Sequence, residues 1–193
     1  EKYLEVINRE PQKRITRYAA GIMGGTGFAV FFGCNLWDAV IAFIVSVMIV
    51  AVGDWLAKRE SNLLVYNGIL AFISEVIIIG ALKMGIAEHP DRIMIGIVML
   101  LISGLSTTNG IRDLLQRDFI SGFINIMNSF IGAAGIAFGI GLAIILFHEG
   151  YSDHFILNHS VPIQLLSCTV ACTGFALWFK IRGKQVWYNS IGA

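Results

Sequence analysis

The chain has 193 residues, of which 56% are hydrophobic and only 14% charged, with a mean hydropathy of +0.72. Soluble domains carry about 25% charged residues, so this composition excludes an ordinary soluble domain and indicates an all-α polytopic membrane protein. A net charge of +1, with no basic tract beyond the N-terminal tail, leaves no electrostatic footprint for nucleic acid as a partner.

Six apolar segments are expected, at about 18–33, 36–57, 62–84, 93–105, 119–147 and 161–181, from the rule that a span needs roughly 20 apolar residues. Residues 1–17 read as a cytoplasmic tail. The first residue is Glu1 rather than Met, and the tail reads as the remnant of a longer region upstream; no signal peptide is evident. Segment one is crowded with Gly21, Gly24, Gly25 and Gly27, and segment five with Gly132, Gly135, Gly139 and Gly141. The pairs Gly21/Gly25 and Gly135/Gly139 are four apart, so each lies on one helix face and permits close backbone approach, with a hinge as the sharper alternative. Asp38 falls in the first turn of segment two, where a carboxylate suits the helix dipole. Asp54 lies near the other end of that segment. Glu75 sits in the middle of segment three, between Ser74 and Val76. A carboxylate at that depth is a functional candidate by default, suited to taking up and releasing a proton; its bland alternative is a protonated side chain bonded to a neighbouring helix.

Segment four is short, which predicts a helix that breaks at Ser103-Gly104, with the broken region near 103–110. The stretch 101–122 then sets hydroxyls, an amide and two Arg/Asp groupings into apolar sequence. Irregular backbone at membrane depth survives only inside protein or beside a water-filled cavity, and broken helices of this kind build solute sites in transporters. A polar loop between helices is the alternative. Segment five is long and is expected to begin as a helix from Ile111. Asn67, Asn109, Asn125 and Asn128 are further polar groups suited to lining a cavity or bonding between helices. Of Cys34, Cys168 and Cys172, the last two lie on one apolar helix and read as small hydrophobes, and neither a disulfide nor a metal framework is expected. His89, His148, His154 and His159 lack the carboxylate or cysteine spacing that would complete a metal site. No cofactor motif is present. Trp187–Ala193 resembles the start of a seventh segment.

Lys and Arg placement sets orientation. With six segments, every Lys and Arg except Lys83 and Arg92 falls on the side of the N-terminal tail, which is therefore cytoplasmic. Thr26-Gly-Phe-Ala-Val-Phe-Phe32 also echoes Thr173-Gly-Phe-Ala-Leu-Trp-Phe179, with five of seven positions identical. Five segments separate the two starts, so the copies must cross in opposite directions, as in an inverted-topology repeat. The expected organisation is one five-helix repeat over 18–160 and the first helix of a second, inverted repeat over 161–193.

Ser103-Gly104, Thr108-Asn109-Gly110, Arg112-Asp113, Asp118 and Ser121-Gly122 resemble the pattern of the threonine/serine exporter family: Pro-Gly, two residues, Leu-Thr-Asn-Ala, one residue, Arg-Asp, then Gly-Asp and Ser-Gly. Ser103 replaces Pro, Thr107 replaces Leu, Gly110 replaces Ala and Arg117 replaces Gly. Gly104 can still break the helix. The resemblance implies a non-enzymatic, alternating-access exporter in the bacterial inner membrane, made of two five-helix halves that are fused or supplied as separate subunits. Threonine and serine are the implied substrates, with dicarboxylates such as succinate as the alternative. On this reading, the substrate carboxylate meets the amides of Gly104–Thr108, Ser106 among them, or Arg112. Thr107, Thr108 and Asn109 take the amino and hydroxyl groups, Glu75 carries the coupling proton with Asp54 as a second candidate, and Asp113, Asp118, Ser121 and Gly122 support the motif. A dicarboxylate would want a second cation, for which Arg117 is nearby.

Rival readings fit less well. Gly53-Asp54 offers half of an intramembrane aspartyl protease, but Ala51 stands where that motif needs glycine. A non-transporting scaffold would need neither Glu75 nor the polar break. The topology predicts that a single cysteine placed in the 148–160 loop, in a chain stripped of its own cysteines, is labelled by an impermeant maleimide from outside intact cells. Protection there, with labelling at position 58, overturns the orientation.

Overall fold

The computed structural model describes residues 14–60, 62–102, 104–147 and 161–178, and these residues form helices and no strand. In chain order they are α1 (Arg14–Phe31), α2 (Leu36–Leu56), α3 (Leu63–Lys83), α4 (Pro90–Leu101), α5 (Gly104–Leu115), α6 (Phe119–Phe147) and α7 (Val161–Trp178). Ser103, His148, His154, His159, Trp187–Ala193 and most of the N-terminal tail lie outside the described residues.

Helices α2, α3 and α6 are long and apolar enough to cross a membrane, and α4 with α5 makes a fourth such unit, bent by 51°. The outer two expected spans are shorter. After Arg17, α1 keeps only Tyr18–Phe31, about 21 Å at 1.5 Å per residue, against a hydrocarbon core of about 30 Å. The apolar part of α7 runs over Pro162–Leu177. Trp37 and Trp55 are both exposed, at opposite ends of α2. Their separation along the helix, about 27 Å, matches the spacing of the two interfaces where tryptophan collects.

Two boundaries differ from the sequence reading. The fourth helix starts at Pro90 rather than 93, because proline at the first helical position gives up no needed N–H. It stops at Leu101 rather than 105, with Ile102 extended at φ −66°, ψ 127°. The fifth segment does not begin at Ile111: residues 104–115 form the separate helix α5, and a tight turn over 116–118 precedes α6.

That turn belongs to a set of three identical closures. Each helix end places one residue at positive φ and returns two amides to the last turn, the Schellman arrangement. Gly33 (φ 94°) ends α1, with Cys34 N–H donating to Ala29 O, and Gly85 (φ 71°) ends α3, with Ile86 N–H donating to Ala81 O. Arg117 (φ 67°) ends α5, with Arg117 N–H donating to Leu114 O and Asp118 N–H to Asp113 O. Glycine adopts this conformation freely, whereas an L side chain is strained by about 1–2 kcal/mol.

The first four helices enclose an apolar core that includes Ala42, Val45, Ile78, Ile93 and Ile97. One end of this core is locked by buried polar groups. Asp38, fully buried, accepts from the amides of Glu88 (2.9 Å) and His89 (3.4 Å) and faces His89 Nδ1 at 3.2 Å. His89, its side chain still 34% exposed, is thus a partner of Asp38. Arg92, also buried, donates to Gly33 O at 2.5 Å, capping the negative end of α1. Burial, and secondarily the Asp38 carboxylate, push the Cys34 thiol far above its usual range, which fits an inert small hydrophobe.

Elsewhere the helices meet through small residues. Helix α6 lies on α3 where Gly135 and Gly139 face the Leu64 and Gly68 carbonyls. Helices α1 and α7 pack against each other through the two echoed stretches. A methyl group on Gly27 would sit 2.9 Å from the Ala171 backbone, and one on Gly174 would sit 2.6 Å from the Gly24 nitrogen, so the two helices run antiparallel. Phe28 and Phe175 meet edge-on at 5.1 Å. Replacing each residue by its counterpart in the echo turns the Gly27–Ala171 contact into the Gly174–Gly24 contact and maps Phe28–Phe175 onto itself.

Gly27→Ala is therefore expected to force the seam apart and destabilise the protein by about 1–3 kcal/mol. Gly80→Ala, where a methyl meets nothing within 4 Å, should be neutral or stabilising by up to about 1 kcal/mol. Thermal unfolding in detergent separates the two; equal melting temperatures would show that the seam is not tightly packed.

Candidate functional site

The polar stretch folds into a helical hairpin in which its residues take different tasks. Asp113 on α5 accepts from Ser121 Oγ and Asn125 Nδ2 of α6, both at 3.0 Å. Asp118 caps α6 by accepting from Ser121 N–H at 3.3 Å. Gly110 and Gly122 let the helices touch: a methyl on either would sit within 2.9 Å of the other's carbonyl oxygen. Asp113, Asp118, Ser121 and Gly122 therefore hold the hairpin closed, a structural role for the motif-support residues. Arg117 is committed to the turn by its backbone, at the position where the resembling pattern has glycine.

Of the expected substrate ligands, Thr108 and Arg112 lie on the face of α5 turned away from α6, whereas Ser106 and Thr107 share the side of Gly110 and Asp113 that meets it. Ser106 and Thr107 are half-buried, whereas Thr108, Asn109 and Arg112 are exposed. Gly104 opens α5 directly after the break. The C-terminal end of α4 and the N-terminal end of α5 thus flank the break. There the carbonyls of one helix and the amides of the next run out of partners within their own helices. Helix α4 spans only about 18 Å, short of a hydrocarbon core of about 30 Å, and its end shares a cavity wall with Gly53 near the surface end of α2 and Leu63 at the start of α3.

The two acidic candidates differ. Glu75 is 1% exposed, midway along α3. Asp54 is at the surface end of α2, paired with Arg17 of α1, Nη1 to Oδ1 2.5 Å. Asn67 is buried and donates to Gly132 O at 3.3 Å, joining α3 to α6; Asn128 is exposed.

A cavity of about 210 Å³ opens beside the break, lined by Arg17, Gly53, Tyr66, Asn67, Leu101 and Ile102 among others. It falls below the roughly 300–1,000 Å³ of sites for drug-sized ligands and suits a smaller solute. Gly53 makes room for Tyr66, whose hydroxyl would lie 2.8 Å from a methyl at that position. Neither Arg17 nor Tyr66 is singled out by the sequence reading. The available signal was topological: Arg17 begins segment one and Asp54 ends segment two, so both charges occupy the same end of adjacent helices. Among the described residues, no three His, Cys, Asp or Glu side chains gather into a metal-ligand set.

The family whose sequence profile matches the chain is described as "Putative threonine/serine exporter", and the match covers residues 1–147. No curated protein and no solved structure gives a match.

The hairpin generates opposite expectations for two of its residues. Asp113→Ala leaves Ser121 and Asn125 without their acceptor and should cost about 1–3 kcal/mol. Arg117→Gly relieves the left-handed strain, partly offset by the freer unfolded chain, and should stabilise by about 0.5–1 kcal/mol. Melting temperatures of the two purified variants check both signs; destabilisation by Arg117→Gly would mean that its side chain, not its backbone, matters.

Proposed function

We propose that this chain, which belongs to the threonine/serine exporter family, forms part of a proton-coupled secondary exporter of small amino acids, threonine and serine first. The protein is an all-helical, multi-pass membrane protein, and its family is one of transporters, not enzymes. The observation that carries the reading is the bent α4–α5 unit. It puts the end of α4 in the wall of a small cavity, with the polar helix α5 following directly after the break; irregular backbone within a span is tolerated only inside protein or along a solute path.

In this mechanism the substrate carboxylate lies against the first amides of α5, from Gly104 to Thr108, where the dipole is positive. Thr107, Thr108 and Asn109 bond the hydroxyl and ammonium groups, and Arg112 lies one turn further on. Glu75 carries the coupling proton: buried on α3, it exchanges a charged and a neutral form as access alternates.

The tail is cytoplasmic, as the bias of Lys and Arg supports, and the membrane is the bacterial inner membrane, as the family resemblance implies. Helices α1 and α7 are the corresponding first helices of two inverted repeats. The exchange of the Gly27–Ala171 and Gly174–Gly24 contacts under the echo supports this, because a two-fold axis through the seam requires it. A complete second half, fused or separate, then covers the polar face of α5, and transport needs both.

Efflux of labelled threonine, serine and succinate from cells making the intact transporter tests the reading. Glu75→Gln should abolish pH-driven export while the protein still inserts. Thr108→Val should weaken apparent affinity about 10–100-fold, the loss of one hydrogen bond that the bound solute would bury once the second half covers α5. Full pH-dependent export by Glu75→Gln removes Glu75 from the mechanism; no efflux of any of the three solutes by the wild type removes the exporter reading.

A further inference from the structure

Arg17 separates two hollows. On one side is the cavity beside the α4 break, which it lines with Tyr66, Asn67 and Ile102. On the other is a hollow of about 490 Å³ that it lines with Tyr18, Asp54, Trp55 and Lys58. Asp54 lines the second hollow and holds the Arg17 guanidinium from that side, at 2.5 Å. We propose that the inner cavity is the cytoplasmic intake subsite for a zwitterionic amino acid, with Arg17 as its carboxylate anchor and Asp54 as the gate. This rests on the exporter reading above and assigns it a residue pair and a ligand polarity.

The electrostatics of the cavity are two-ended. Arg17 brings a positive charge to one part of the cavity wall. A guanidinium also presents a planar fork that matches a carboxylate in two bonds. The end of α4 at Leu100, Leu101 and Ile102 forms another part of the wall; it is the negative end of a half-helix, which suits an ammonium group. A zwitterion satisfies both ends. A dicarboxylate brings its second carboxylate against the negative end of α4.

The Arg17–Asp54 pair has the properties of an exchangeable latch. Its side chains are 44% and 27% exposed, and ion pairs that solvent reaches contribute little net stability. An incoming carboxylate can therefore take the guanidinium from Asp54 at small cost, and the released Asp54 repels a second anion from the outer hollow. Arg17 then faces the inner cavity with its ligand. The break lies next to it, so handover to the α5 amides needs no long transit.

The two members of the pair should move affinity in opposite directions, which a purely structural ion pair would not do. Binding of L-threonine, L-serine and succinate to the purified intact transporter is measured by calorimetry, with thermal unfolding as the check on folding. Arg17→Gln should weaken threonine binding about 10–100-fold, the loss of a charge-assisted bond. Asp54→Asn should tighten it several-fold, because removing the competitor raises the fraction of Arg17 ready to bind. Leu101→Trp, which fills the cavity without touching the pair, should abolish binding and serves if Arg17→Gln does not fold. Wild-type affinity in Arg17→Gln or in Leu101→Trp overturns the subsite, and equal weakening by Arg17→Gln and Asp54→Asn overturns the gate. Succinate binding as tightly as threonine overturns the zwitterion preference. Failure of the wild type to bind any of the three overturns the exporter reading, and the subsite with it.

Discussion

Helices in hydrocarbon have no hydrophobic reason to associate, because lipid tails are as apolar as leucine; what holds them is how closely their backbones can approach. The helix contacts of this chain run through that constraint. Gly27 and Gly174 bring α1 onto α7, Gly96 brings α4 onto Ala29 of α1, Gly135 and Gly139 bring α6 onto the carbonyls of α3, and Gly110 and Gly122 close α5 onto α6. These approaches leave no space for a methyl group. They also explain how a broken span persists: α4 is fixed to α1 on one side of the break and α5 to α6 on the other.

Against this apolar scaffold the polar groups divide by how firmly they are held. Asp38 and Arg92 are buried and bonded to backbone: Asp38 ties the loop before α4 to the start of α2, and Arg92 ties α4 to the end of α1. Asp113 and Asp118 lock the hairpin. Such fully committed groups rigidify the parts between which motion takes place. The Arg17–Asp54 pair is of the other kind, reached by solvent and set between two hollows. The conspicuous Arg/Asp motif is thus largely the frame, and the chemistry falls on the break it supports and on the faces of α5 that the hairpin leaves open.

Membrane spans are legible because length and apolarity are local properties. The helices over 36–56, 63–83 and 119–147 follow the sequence reading to within a residue or so, and the break near residue 103 was visible as a span too short and too polar to be continuous. The start of α6 was less legible. Residues 111–118 are compatible with one long helix by composition, and only the positive φ at Arg117, a residue type that rarely adopts it, splits them. Sequence separation hid the role of Asp38: the Glu88 amide that it binds is fifty positions further along the chain.

The sequence by itself determined that the chain is an all-helical membrane protein, where its helices lie, which span is broken, and which family it resembles, since each depends on neighbouring residues in one strand of text. Only the tertiary structure decided that Asp113 and Ser121 hold a hairpin, that the two echoed stretches pack antiparallel on each other, and that Arg17 meets Asp54 beside the cavity at the break. Those facts depend on which helix faces stand together. In hydrocarbon, that choice is made by the fit of glycine against backbone over several helices at once, and not by any property that one segment carries alone.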